Sequence, residues 1–186
     1  LVFISDFFAE HIQGGAEIYD SVLISELEKR DVKVCKFQSY EFSLKHFQLY
    51  ESMGFNFLIS NFTQLNEGVK KVIQLYSSRY SILEHDHKYL SNRNPAVFNG
   101  FKAPASMIVN RELYKNAKHV FCQSVKHAEV LSSNLSISNV INLGCSLWST
   151  DQLDKIRDQV VSKNNKAMII NDPNPIKGTQ QTMKAT

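Results

Sequence analysis

Residues 1–37 read LVFISDFFAE HIQGGAEIYD SVLISELEKR DVKVCKF, and the change of apolar period along them decides the fold class. Leu1–Ser5 is a short apolar run, the length and composition of a buried strand. A loop follows to Gly15. From Gly15 to Arg30, Ala16, Tyr19, Leu23 and Leu27 recur every three or four positions, which is the period of one helix face. Val32–Phe37 returns at once to a strand-like run. Strand, helix and strand in succession predict a βαβ unit and hence a parallel sheet.

The alternation continues outward. Strands are predicted at Asn56–Ser60, Tyr80–Leu83, His119–Cys122, Asn139–Leu143 and Ala167–Asn171. Helices are predicted from Phe62 to Tyr76, from Pro104 to Ala117, from Ser124 as N-cap through Leu135, from Thr150 to Ser162, and from Gly178 onward. Residues 38–54, rich in aromatics, favour neither period. Glu84 to Ala103 reads as a long polar connection of the kind that carries function. The expected fold is α/β, a Rossmann-like doubly wound parallel sheet with helices on both faces. The polar run Ser162–Lys166 reads as a linker, which divides the chain into a domain at 1–162 and a second segment at 163–186.

Composition limits what such a fold can do. The chain has 186 residues, 43% hydrophobic and 21% charged, enough to bury a full core without disulfides or metals. No run approaches a membrane span, and Leu1–Ser5 leads into Asp6 without a basic segment, so no signal peptide is read. The net charge is +3, and no Lys/Arg run is dense enough for a nucleic-acid footprint. The charge is uneven. Residues 1–93 carry 10 Lys+Arg against 12 Asp+Glu, and residues 94–186 carry 11 against 6. The second half therefore favours an anionic partner such as a phosphate or a lipid headgroup. Cys35, Cys122 and Cys145 are odd in number, form no CxxC pair and sit beside apolar runs, so they read as small buried hydrophobes in a reducing compartment. Asn61-Phe62-Thr63 and Asn134-Leu135-Ser136 match the glycosylation sequon and read as chance matches.

Three constellations carry candidate chemistry. Gly14 and Gly15 open the first helix, where free N–H groups and the helix dipole suit a phosphate; an ordinary glycine turn is the alternative. Glu17 lies in the first helical turn. Glu84-His85-Asp86-His87 follows a strand, and ligands of open parallel sheets bind beyond the carboxyl ends of strands. His85 and Asp86 suit a polyol; the alternative is a capped sheet edge with a solvated histidine. A metal on His85 and His87 lacks a third ligand nearby in sequence. Lys177-Gly178 sits before the last helix, where a lysine can face a phosphate or simply solvent. No nucleophile elbow, HExxH or Asp-x-Asp pair is present.

In this order the motifs resemble the amino-terminal half of a two-domain (GT-B fold) retaining glycosyltransferase of the family 4 type. Gly14-Gly15-Ala16-Glu17 is similar to that family's Gly-Gly-x-Glu. Leu83-Glu84-His85-Asp86 resembles its strand ending in His-Asp. Asn116–Ser124 resembles its helix–strand–helix passage, Val140–Gly144 its last strand before the crossover, and Lys177-Gly178 its second-domain Lys-Gly. The resemblance implies metal-independent transfer of a sugar, with retention, from a nucleotide-diphosphate sugar to a carbohydrate or glycolipid acceptor. No cofactor is implied, and the setting is cytoplasmic or peripheral to a membrane. Catalytic roles would fall to His85 and Asp86, donor-diphosphate contacts to Gly14, Gly15 and Lys177, and acceptor contacts to Glu17, Arg93 and Ser124. Residues 163–186 would then begin a carboxy-terminal donor-binding domain, without the rest of which this chain is expected to be inactive. The chain departs from the family at Asn171-Asp172-Pro173, where an Arg is usual, and at Ser146, where an Asp is usual. Outside that family, a non-catalytic Rossmann-like binding module or another nucleotide-sugar enzyme such as an epimerase fits the same pattern.

Overall fold

The structure, a computed structural model, describes residues 1–159 and 179–185. The chain divides into two compact units, Leu1–Ser149 and Thr150–Thr186. The first unit alternates strictly. It runs β1 (Val2–Ser5), α1 (Gly15–Glu28), β2 (Cys35–Gln38), α2 (Leu44–Ser52), β3 (Phe57–Ile59), α3 (Glu67–Ile73), β4 (Tyr80–Glu84), α4 (Arg111–Asn116), β5 (Val120–Cys122), α5 (Val125–Leu135) and β6 (Val140–Asn142). All strand pairs are parallel, in the order β2-β1-β3-β4-β5-β6. This is the α/β doubly wound sheet that the alternation predicts.

Side chains alternate across the sheet and build two cores. Val2, Ile4, Ile59, Ile82 and Val120 join Phe47, Ile73, Leu113 and Leu131 from α2, α3, α4 and α5 in the larger one. Phe3, Leu58, Leu83 and Phe121 face the other way and meet Tyr19, Leu23 and Ile24 of α1. The chain reverses direction at β1, which lies between β2 and β3. There the connections diverge, the position at whose carboxyl edge open parallel sheets take their ligands.

Several local expectations are corrected. The helix expected from Phe62 begins only at Glu67, because the N–H groups of Thr63 and Gln64 are taken by the Asp6 carboxylate. Residues 44–52 are helical, started by reciprocal bonds between Ser43 and His46. The helix expected from Pro104 to Ala117 is replaced by one 3₁₀ turn at Ala105–Met107 and the short α4. Ile108 bridges Leu90 instead, and Val109 N–H donates to Tyr89 C=O at 2.8 Å. The left-handed Asn110 (φ 55°) then separates the two pieces. The connection from Glu84 to Ala103 is not a solvated loop, since Tyr89, Leu90 and Ala103 are buried in the larger core. Of the cysteines, Cys122 is buried and Cys35 half-buried, but Cys145 is exposed. Asn134 is buried, with its amide donating to Phe101 and Val130 carbonyls, and so offers no surface for a glycan.

The second unit holds α6 (Thr150–Asp158) and α7 (Thr179–Ala185). The expected linker at 162–166, the strand at 167–171 and Lys177-Gly178 lie outside the described residues. No helix among the described residues is long and apolar enough to cross a membrane.

Candidate functional site at the carboxyl edge of the sheet

Four polar side chains form a line across the carboxyl edge. Ser5 ends β1, and its hydroxyl donates to Asp20 Oδ2 at 3.3 Å. Asp20 is fully buried on α1. Its Oδ1 lies 3.1 Å from Nε2 of His85, the residue that follows β4. Nδ1 of His85 lies 3.0 Å from the Gln123 amide nitrogen, just past β5. Tyr19 places its ring edge-on to the imidazole at 5.3 Å between centroids. A buried carboxylate without partners costs several kcal/mol. Asp20 therefore needs Ser5 and His85 as much as they need it.

Beside this line, Glu84 closes β4 and is fully buried. Burial alone would raise its pKa, but Lys88 and the hydroxyl of Tyr114 overcome that and hold it below the ordinary carboxylate range. Lys88 stands 3.6 Å from Glu84 and 2.5 Å from Asp86. Asp86 also pairs with Arg93 at the surface. The structure thus brings together two of the sequence-derived candidates, Asp86 and Arg93, through an ion pair that the sequence does not announce.

His87 leaves the line. It is left-handed (φ 58°), and its Nδ1 meets the Tyr89 hydroxyl at 3.0 Å. Its ring packs 4.3 Å from that of His127. Burial, then the neighbouring His127, pushes the His87 pKa down to about 4. Burial lowers His127 as well, against an opposing pull from Glu84. His85 and His87 therefore serve different neighbours. Among the described residues, no group of three or more His, Cys, Asp and Glu side chains is arranged to hold a metal.

At the start of α1, Gly14 is the N-cap, with ordinary φ of −89° and no side-chain cap. Glu17 folds back over it. A Cβ on Gly14 would stand 2.2 Å from Glu17 Oε2, while Asn61 Nδ2 approaches Glu17 Oε1 at 3.5 Å. The helix N-terminus, expected to take a donor diphosphate, thus carries a carboxylate of its own chain beside it. Gly15 has open space around it. Ser124 is the N-cap of α5, its hydroxyl accepting from His127 N–H at 3.2 Å. Lys177 lies outside the described residues.

Asp6 is the crossing point of the loops. It accepts from Thr63 N–H at 2.9 Å, Thr63 Oγ1 at 2.5 Å, Gln64 N–H at 3.0 Å and the Ser39 hydroxyl. Burial pulls its pKa up, but these hydrogen bonds outweigh it and hold the carboxyl below its usual range. Asp6 fastens the ends of β1, β2 and β3 to one another.

Sequence reasoning missed Asp6, Asp20, Lys88 and Gln123. A signal exists for Asp20. It stands four residues from both Ala16 and Ile24, inside an otherwise apolar stripe, and a charge there must find a buried partner. Gln123 carries none, because a lone glutamine after a strand is ordinary. No protein-family model, curated protein or solved structure matches the chain.

Proposed function

We propose that this chain is the acceptor-side half of a retaining glycosyltransferase that moves a sugar from a nucleotide-diphosphate sugar to a carbohydrate or glycolipid acceptor. The observation that carries the reading is the meeting of Ser5, Asp20, His85 and Gln123 at the carboxyl edge, with the Asp86–Arg93 pair alongside. Such a set of neutral and charged hydrogen-bonding groups suits a ligand rich in hydroxyls. The collinear motifs from Gly14 to Gly144 support the same reading. In it, His85 and Asp86 face the sugar near the reacting centre, Arg93, paired with Asp86, forms part of the acceptor wall, and Lys177 neutralises charge on the leaving diphosphate. The uneven charge of the chain is consistent with a membrane-peripheral acceptor.

The test is sugar transfer by the full-length product of the gene, with the product anomer read by proton NMR. Retention is expected, and His85→Ala is expected to lower kcat about 100-fold. Inversion, or unchanged turnover in that variant, would refute the reading. One observation favours a second reading, a non-catalytic binding module: Glu17 already sits at the α1 N-terminus. Calorimetry on the full-length product of the gene separates the two. A nucleotide diphosphate that binds Glu17→Gln more tightly than the parent supports a donor site guarded by Glu17. Equal absence of binding in both supports the module.

A further inference from the structure

We propose that Asp20 is the positioning residue of His85: it holds the imidazole as the Nε2–H tautomer and leaves Nδ1 as the acceptor for a sugar hydroxyl, a place that the Gln123 amide fills here. The identity of the ligand rests on the glycosyl-transfer reading; the tautomer does not.

Two contacts lead to the same assignment from opposite sides of the ring. An ionised carboxylate only accepts hydrogen bonds, so Nε2, 3.1 Å from Asp20 Oδ1, must carry a proton. A neutral imidazole with that proton has a lone pair at Nδ1, and an amide NH₂ is a donor suited to it; the Gln123 amide nitrogen lies 3.0 Å away. Asp20 has no freedom to turn. It is fully buried, and its other oxygen accepts from Ser5 at 3.3 Å. The edge of Tyr19 against the ring, 5.3 Å between centroids, fixes the imidazole plane.

Gln123 differs from Asp20 in kind. It is only partly buried, lies just past the end of β5, and its amide has no other hydrogen bond among those described. Displacing it costs one neutral hydrogen bond, which an incoming hydroxyl donor replaces at the same atom. Asp20 thus acts through His85, and a ligand hydroxyl takes the position of the Gln123 N–H. Seen this way, the hydrogen bond that occupies His85 marks where a hydroxyl is read.

The experiment is long-range proton–nitrogen NMR of the imidazole rings in the ¹⁵N-labelled 186-residue chain at pH 7.5. The His85 signals are assigned by their loss in His85→Gln. The expected spectrum shows Nε2 protonated and Nδ1 bare. An Nδ1–H tautomer or a doubly protonated ring overturns the proposal. Gln123→Leu should keep the Nε2–H form, because Asp20 alone then selects it, whereas adding Asp20→Leu in that background should end its dominance; loss of the form in Gln123→Leu, or its persistence in the double variant, also overturns the proposal. If the double variant does not fold, the parent spectrum and Gln123→Leu still decide. Titration of the ¹⁵N-labelled full-length product of the gene with UDP-glucose and with GDP-mannose tests the ligand atom. A shift of Nδ1 with Nε2–H retained supports it, and binding that leaves Nδ1 unmoved overturns it. If neither compound changes any resonance of the full-length product, the donor-sugar reading fails, while the tautomer still decides the role of Asp20.

Discussion

His87 and His127 set an acid limit on this protein. Both are held neutral by burial, with their rings 4.3 Å apart and Lys88 close by. The unfolded chain takes up these protons near the ordinary histidine pKa of about 6.5, whereas folded His87 resists until about 4. Between those values the unfolded state binds more protons, so stability falls as the pH drops through that window. Asp6 and Glu84 are held below the carboxylate range and add their losses only at lower pH. Urea unfolding at pH 7, 6 and 5 should show a midpoint that declines steadily. His87→Gln should flatten the decline, and equal midpoints from pH 7 to 5 in the parent would contradict the account. The same burial makes Cys122 inert. Burial, then Glu84, pushes its thiol up to about 12, so mild alkylation should mark the exposed Cys145 first.

At the scale of one element, α1 opens on two glycines in different surroundings, Gly14 under the Glu17 carboxylate and Gly15 in open space. Gly15 is the first residue of the helix, has no positive φ, and a Cβ there meets nothing within 4 Å. The fold has no use for its lack of a side chain. Gly15→Ala should therefore stabilise the chain by about 0.5–1 kcal/mol, read by chemical denaturation. A loss of stability would show a constraint that the geometry does not contain. The element scale also shows what the sequence could disclose. Strand β1 and helix α1 were legible because their apolar periods are long and unbroken. α2 was not, because its cap uses His46 where the usual signature has Glu or Gln. The apolar spacing of Pro104–Ala117 is helical, but Ile108 bridges Leu90, eighteen positions away in sequence, through hydrogen bonds from Val109 N–H to Tyr89 C=O and from Ser91 N–H to Met107 C=O. His85, Asp86 and Arg93 could be named from their place after a strand. Asp20 and Gln123 gain meaning only when the sheet brings α1 and β5 to the same edge.

At the scale of the whole first unit, the two faces of the sheet are unequally covered. Six strands span about 24 Å, and a helix covers about 10 Å of that. The face that meets α2, α3, α4 and α5 is filled, and Ile82 on it is fully buried. On the opposite face, α1 is the only helix among the described residues of this unit, and beside it runs a groove of about 480 Å³. Leu58, Leu83 and Phe121 form its floor, with Leu23 and Leu27 of α1 as one wall. Arg79 and Lys118 line it near the amino ends of β4 and β5. A truncation on the filled face leaves a void enclosed by neighbours, whereas one on the groove floor only widens a space already open. Ile82→Ala should therefore cost about 2–5 kcal/mol. Phe121→Ala, although it removes more atoms, should cost about half that, since its ring is only partly buried. Guanidinium unfolding of both variants measures the difference, and an equal or larger loss at Phe121 would mean that the groove is closed in solution. The carboxyl-edge line from Ser5 to Gln123 rests on β1, β4 and β5, which the filled face holds, and on Asp20 of α1, the wall of the groove, so whatever fills the groove reaches the line through α1.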